Sequence, residues 1–186
     1  MLEKVVFLDR DGVINRDSPE YIKTWEEFEF LPGSLEALAM LDRNGFRVIV
    51  ITNQSIIGRG MADLETLSRT HRQMVKAVAA NGGRIYDIFF CPHRPEDGCD
   101  CRKPAPGLIF KARDIHDIDL SRTIMVGDSA KDIECARNAG CGTNILVKTG
   151  NGLSAFRTLS ERGVRPDHQA FDLKDAAHWI LSRRCP

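Results

Sequence analysis

Apolar residues in this chain come in short blocks that stop abruptly on polar ones. Val5-Val6-Phe7-Leu8 ends at Asp9, and the block from Phe46 to Ile51 ends at Thr52. Similar blocks cover 85–90, 123–126 and 144–147. Runs of this length, apolar on successive residues, read as strands buried on both faces. Between them the period changes. Residues 34–43 place Leu35, Leu38, Ala39 and Leu41 on one side of a helix, which Asn44-Gly45 ends. A longer helix over 63–80 has Leu64, Leu67, Met74, Val75 and Val78 as its expected buried side. Helices are also expected over 107–115, 130–139 and 172–181, with a weaker one in the preceding tail and a short extended piece near 169–171.

Strands that alternate with helices predict an α/β fold: a doubly wound, mostly parallel, Rossmann-like sheet with helices on both faces. Ligands bind such sheets at the carboxyl ends of the strands. The polar residues there are Asp9, Thr52, Cys91 and Asp128. With 186 residues, one domain over 1–186 is expected. Lysines plus arginines and aspartates plus glutamates number 26 each, so no overall basic field exists to hold nucleic acid or an anionic membrane. No apolar run reaches the roughly 20 residues of a membrane span, and the first apolar block is too short for a secretory signal. A cytoplasmic monomer is the expected state.

Asp9-Arg10-Asp11-Gly12 sets two carboxylates two residues apart after a buried strand. Asp128 ends a later strand behind Gly127. A lone aspartate at a strand end is ordinarily a turn or cap residue. Three acids converging on one sheet edge repel one another unless a cation sits among them, and hard oxygen donors with an open side suit Mg²⁺. A carboxylate can attack phosphorus, and a second can protonate a leaving oxygen and then activate water. Thr52 offers a hydroxyl, and Lys103 a point charge.

Four ordered motifs carry a resemblance: Phe-Leu-Asp-Arg-Asp-Gly at 7–12, Ile-Thr-Asn at 51–53, Lys103 before Pro104, and Gly-Asp-Ser-Ala-Lys-Asp at 127–132. Over about residues 4–148 the chain resembles the haloacid dehalogenase (HAD) superfamily of phosphohydrolases. The resemblance implies Asp9 as nucleophile and Asp11 as general acid/base. It implies Mg²⁺ held by Asp9, the Asp11 carbonyl and Asp128, with Asp132 in support. Thr52, Asn53, Ser55 and Lys103 fall on the phosphate side. No large cap domain fits between the motifs, so residues 12–31 are expected to form a flap over the site.

Cys91-Pro92-His93, then Cys99-Asp100-Cys101, gives four ligands in a Pro/Gly loop (91–103) with almost no apolar side chains. This spacing matches a closed Cys₃His zinc site, structural because no coordination position stays open. Reduced surface thiols or a redox pair are the plainer reading, which the Cys-x-His pair disfavours. Zinc here would anchor the base of Lys103. The loop, with Thr-Asn-Gln-Ser at 52–55 and Cys-Arg-Lys-Pro-x-Pro-Gly at 101–107, resembles the branch of the superfamily that removes the C7 phosphate of heptose 1,7-bisphosphates. Histidinol-phosphate phosphatases are the alternative branch. Val13, Ile56 and Ser129 depart from the heptose pattern. The implied partner is a small phosphorylated sugar, in the supply of lipopolysaccharide precursors. Arg102, and Arg59 in a flexible loop, are candidates to grip a distal phosphate. His71, His116, His168 and His178 lack ligand spacing and read as surface residues. Trp25, Phe28 and Phe30 are expected to pack the flap onto the body, Trp179 to dock the last helix, and Cys135 and Cys141 to be buried thiols.

Overall fold

The computed structural model describes residues 4–183; Cys185 lies outside them. β1 (Val5–Leu8) is buried along its whole length, and β2 (Arg47–Asn53) from Val48 to Thr52. β3 (Ile85–Cys91), β4 (Ile124–Gly127), β5 (Thr143–Val147) and β6 (His168–Ala170) complete one sheet in the order β3-β2-β1-β4-β5-β6. Every neighbouring pair is parallel.

Successive side chains of a strand point to opposite faces, and here that divides the interior in two. Val6 and Leu8 join Val48, Val50 and Val126 against α1 (Ser34–Arg43), α2 (Leu64–Ala80) and α6 (Leu173–Ser182). Val5 and Phe7 join Ile49, Ile51 and Met125 against α3 (Gly107–His116) and α4 (Ala130–Ala139). α5 (Gly152–Glu161) lies against α4 and β5 through Ala155 and Leu159. Each fully buried Val, Ile or Leu contributes roughly 1.5–3 kcal/mol. This open, parallel α/β architecture is the one expected from the alternating pattern.

Some boundaries differ. The second strand runs on to Asn53, because Thr52 and Asn53 stay in register with Phe90 and Cys91 of β3. Phe46 is outside it, its amide bonded back to the Leu41 carbonyl at the end of α1. Leu64, expected on the buried side of α2, is the first residue of that helix and is exposed.

Between β1 and α1 the chain holds one short 3₁₀ turn, Trp25–Glu27. Trp25, Phe28 and Phe30 pack ring to ring and against the core, as expected of these aromatics. Val13 and Ile56 are fully buried, so two of the three departures from the heptose pattern are apolar core positions. Trp179 packs α6 onto the core. Cys135 is buried and Cys141 is half-buried.

Candidate active site

β1 and β4 lie side by side, and the Asp9 amide extends their ladder by donating to the Val126 carbonyl. Carboxylate oxygens of Asp9, Asp128 and Asp132 consequently lie within 4.8 Å of one another. Asp132 comes from the first turn of α4, where it also caps the helix: its Oδ2 accepts from the Ser129 amide at 2.9 Å and hydroxyl at 2.7 Å. Ser129 is thus committed to Asp132. Gly127 lets the two elements meet, since a Cβ there would stand 2.2 Å from the Asp132 Cβ.

Lys103 is the cation of this group. Its Nζ lies 2.8 Å from Asp9 Oδ1 and 2.6 Å from Asp132 Oδ1, and donates to the Ile51 carbonyl at 2.8 Å. Burial alone would favour the neutral amine, but the charges of Asp132 and Asp9 outweigh it and hold the ammonium well above its usual range. One lysine does not neutralise three acids. Burial, with the neighbouring acids adding to it, pushes Asp9 up to about 7 and Asp128 up to about 8. Such a converging set of hard oxygen donors with excess negative charge fits a divalent cation of the Mg²⁺ type.

Asp11 belongs to a different network. Arg10, with no exposed surface, grips it with Nε on Oδ1 at 3.1 Å and Nη2 on Oδ1 and Oδ2 at 2.8 and 3.0 Å. Asn15 Nδ2 donates to Oδ1 and Gln54 Nε2 to Oδ2, each at 2.8 Å. Burial works to raise the Asp11 pKa, but the Arg10 charge and these hydrogen bonds prevail and hold it below its ordinary value. Gln54 also donates to Thr52 Oγ1 at 3.0 Å, which leaves Thr52 its own proton to give. The Asn53 side chain takes both backbone groups of Lys103, accepting from its amide at 3.1 Å and donating to its carbonyl at 3.3 Å. Ser55 is buried in the same loop, its carbonyl bonded to the Arg59 amide.

The loop after β5 completes the site. Asn151 donates to Asp128 Oδ2 from its amide at 2.8 Å and from Nδ2 at 3.3 Å, and the same Nδ2 reaches Asp17, between β1 and α1, at 2.9 Å. Thr149 Oγ1 donates to the Gly12 carbonyl at 2.6 Å. Gly12 and Gly150 both have positive φ and fence Asp128: a Cβ on either would stand 2.2 or 2.1 Å from its Oδ2.

The cysteine loop brings its four residues together. Cys101 Sγ lies 3.2 Å from Cys91 Sγ, 3.5 Å from Cys99 Sγ and 3.2 Å from His93 Nδ1; Cys91 Sγ is 3.6 Å from both Cys99 Sγ and His93 Nδ1. Donors around a tetrahedral zinc stand about 3.5–3.8 Å apart; three of the five separations lie at 3.5–3.6 Å and the two at 3.2 Å are shorter, and the donor set of three thiols and one imidazole is of the kind that ion takes. Cys91 closes β3, and Cys101 precedes Lys103 by two residues. Arg102 Nη1 donates to the His93 carbonyl at 3.1 Å, bracing the loop on its outer side. Arg59 lies over the ring of Tyr21, between β1 and α1.

Sequence reasoning missed Arg10, Asn15, Gln54, Thr149 and Asn151. It also misread His71, which is buried with its Nε2 3.4 Å from Arg10 Nη1. Of the other histidines, His116 pairs with Asp87 at 2.8 Å, His168 stacks on Trp179, and His178 is exposed.

This arrangement has known relatives. A family profile described as HAD-hydrolase-like matches residues 100–176. The D-glycero-beta-D-manno-heptose-1,7-bisphosphate 7-phosphatase of Pseudomonas aeruginosa is 47% identical over 161 residues, covering 87% of this chain and 88% of that protein. The Vibrio cholerae protein of the same name is 40% identical over 97% of this chain and 98% of its own. The crystal structure of D,D-heptose 1,7-bisphosphate phosphatase from B. bronchiseptica, complexed with magnesium and phosphate, superposes with a TM-score of 0.90 at 42% identity, over 96% of this chain and 98% of that one. Identity of this order, across nearly the whole of both chains, places the protein in the D-glycero-D-manno-heptose-1,7-bisphosphate 7-phosphatase family of HAD-like hydrolases.

Proposed function

We propose that this chain is a Mg²⁺-dependent phosphomonoesterase that removes the C7 phosphate of D-glycero-D-manno-heptose 1,7-bisphosphate through an aspartyl phosphate on Asp9. The observation that carries the reading is the convergence of Asp9, Asp128 and Asp132 on one point beside Lys103, in a chain so similar to heptose bisphosphate phosphatases. Asp9, the Asp11 carbonyl and Asp128 hold the magnesium. When bound, it neutralises phosphate oxygens and leaves phosphorus open to attack.

Lys103 and the Arg10 amide, both bonded to Asp9 Oδ1, fix the nucleophile. Asp9 forms a bond to phosphorus as the bond to the C7 oxygen breaks, and protonated Asp11 gives that oxygen its proton. The Asp11 carboxylate then takes a proton from water, which attacks phosphorus. Inorganic phosphate leaves and Asp9 is restored. The donors around Asp11 favour its carboxylate, the form this second half needs, and the proton it takes from water here is the one it gives to the leaving oxygen of the next turnover. Thr52 donates to a phosphate oxygen, Asn53 fixes the Lys103 backbone, and Ser55 shapes the adjoining loop. Zinc on Cys91, His93, Cys99 and Cys101 holds the far side of Lys103. Arg102 steadies the remote end of the bisphosphate. The protein works in the cytoplasm as a monomer.

Phosphorus NMR of the product tests the reaction. The C1 ester should survive and the C7 ester disappear, and Asp9→Asn should keep its melting temperature with no turnover. Preference for histidinol phosphate in the same panel, or first loss of the C1 phosphate, overturns the substrate. Near wild-type turnover by Asp9→Asn overturns the nucleophile.

A further inference from the structure

His71 is a buried, titratable side chain that none of the steps above uses. It sits on α2 between Leu67 and Met74, with its ring edge-on to Phe90. Its Nε2 meets Arg10 Nη1 at 3.4 Å. On that guanidinium, Nε and Nη2 are both given to Asp11. Among the described residues, His71 is the partner of the remaining nitrogen. Phe28 lies beside the same group, 5.8 Å from ring centroid to Cζ.

We propose that His71 is a positioning residue for Asp11, acting through Arg10. A planar fork delivers two parallel hydrogen bonds only when its plane is fixed. Phe28 offers a face and no direction. An acceptor on Nη1 supplies the direction, because it sets the rotation of the guanidinium about its stem and hence where the fork holds the Asp11 oxygens. Nε2 must then be the unprotonated ring nitrogen. Burial and the Arg10 charge push the His71 pKa down to about 3, which keeps the ring neutral and Nε2 free to accept. The inference rests on the reading of Asp11 as the proton-transfer group.

Leaving-group dependence separates this role from simple packing. kcat/KM reports the phosphorylation half-reaction, in which Asp11 must protonate a sugar oxygen but has little to do for a dinitrophenolate, a leaving group stable without a proton. The ratio of kcat/KM for heptose bisphosphate to that for dinitrophenyl phosphate is therefore the quantity to follow. His71→Gln carries its amide oxygen close to the place of Nε2, whereas the shorter His71→Asn does not reach it. We expect the ratio within about twofold of wild type for His71→Gln and lower by about tenfold for His71→Asn. Circular dichroism melts and the Mg²⁺ activation curve serve as controls. Should His71→Asn fail to fold, His71→Leu takes its place as the variant without an acceptor. An unchanged ratio in the folded acceptor-free variant overturns the proposal, as does an equal fall in both amide variants. Asp11→Asn, measured alongside, must lower the ratio further. If it does not, the reading of Asp11 fails instead.

Discussion

Lys103 has spent all three of its N–H donors before any substrate arrives. Two go to Asp9 and Asp132, and the third to the Ile51 carbonyl. The lysine thus organises the acids that surround it. Removing one member of a buried ion pair leaves the rest uncompensated, at a cost of about 3–5 kcal/mol. Lys103→Met should lose stability of that order in urea unfolding and lose turnover. His71 gives a second residue-level expectation. Its folded value of about 3 lies below its ordinary 6.5, so the unfolded chain takes up this proton first. Its contribution to stability is complete above pH 6.5 and drains away as pH falls toward 3. His71→Gln removes that slope. Its melting temperature should fall less steeply than wild type between neutral pH and the acid side, and parallel curves would contradict the assignment.

At the scale of elements, loops from five strand ends meet over the sheet. Gly150 belongs to the loop after β5 and has φ +55, with Asp128 Oδ2 where a Cβ would go. Gly150→Ala should cost about 1–3 kcal/mol in backbone strain and raise the Mg²⁺ concentration for half activity, measured by titrating phosphate release. In the cysteine loop, Cys99→Ser should lower zinc content from about one ion per chain and weaken substrate binding through Lys103. Elemental analysis and KM read these two effects. The strands were legible because a strand buried on both faces leaves an unbroken apolar run. Thr52 and Asn53 were not, since polar residues held in the ladder leave no such mark. The strand-end rule that led to Asp9 and Asp128 applies equally to β5 and would have led to Thr149 and Asn151. The burial of His71, misread as a surface position, had a signal in the spacing: it lies four residues after Leu67 and three before Met74, on the apolar stripe of α2. Arg10 left only a hint, because its contacts to His71 and Phe28 depend on the complete fold.

For the whole molecule, the excess negative charge at the strand ends ties stability to the bound cation. A ligand that binds only the folded chain adds about 2.7 kcal/mol at 100 times its dissociation constant. Mg²⁺ should therefore raise the melting temperature of the chelated protein, and raise that of Asp128→Asn much less. Equal shifts in the two proteins would place the cation elsewhere.

Gly12 and Thr149, joined by a hydrogen bond, stand 137 residues apart in the chain. At about 5–20 residues per second of synthesis, the ribosome makes the first on the order of ten seconds before the second. For most of that interval Asp9 and Asp11 exist without Asp128 and Asp132, and for all of it without the loop after β5. A nascent chain that stops short of Asn151 therefore lacks the two hydrogen bonds that hold Asp128 Oδ2, and the acids at the strand ends reach their final arrangement only after the loop behind β5 has been made.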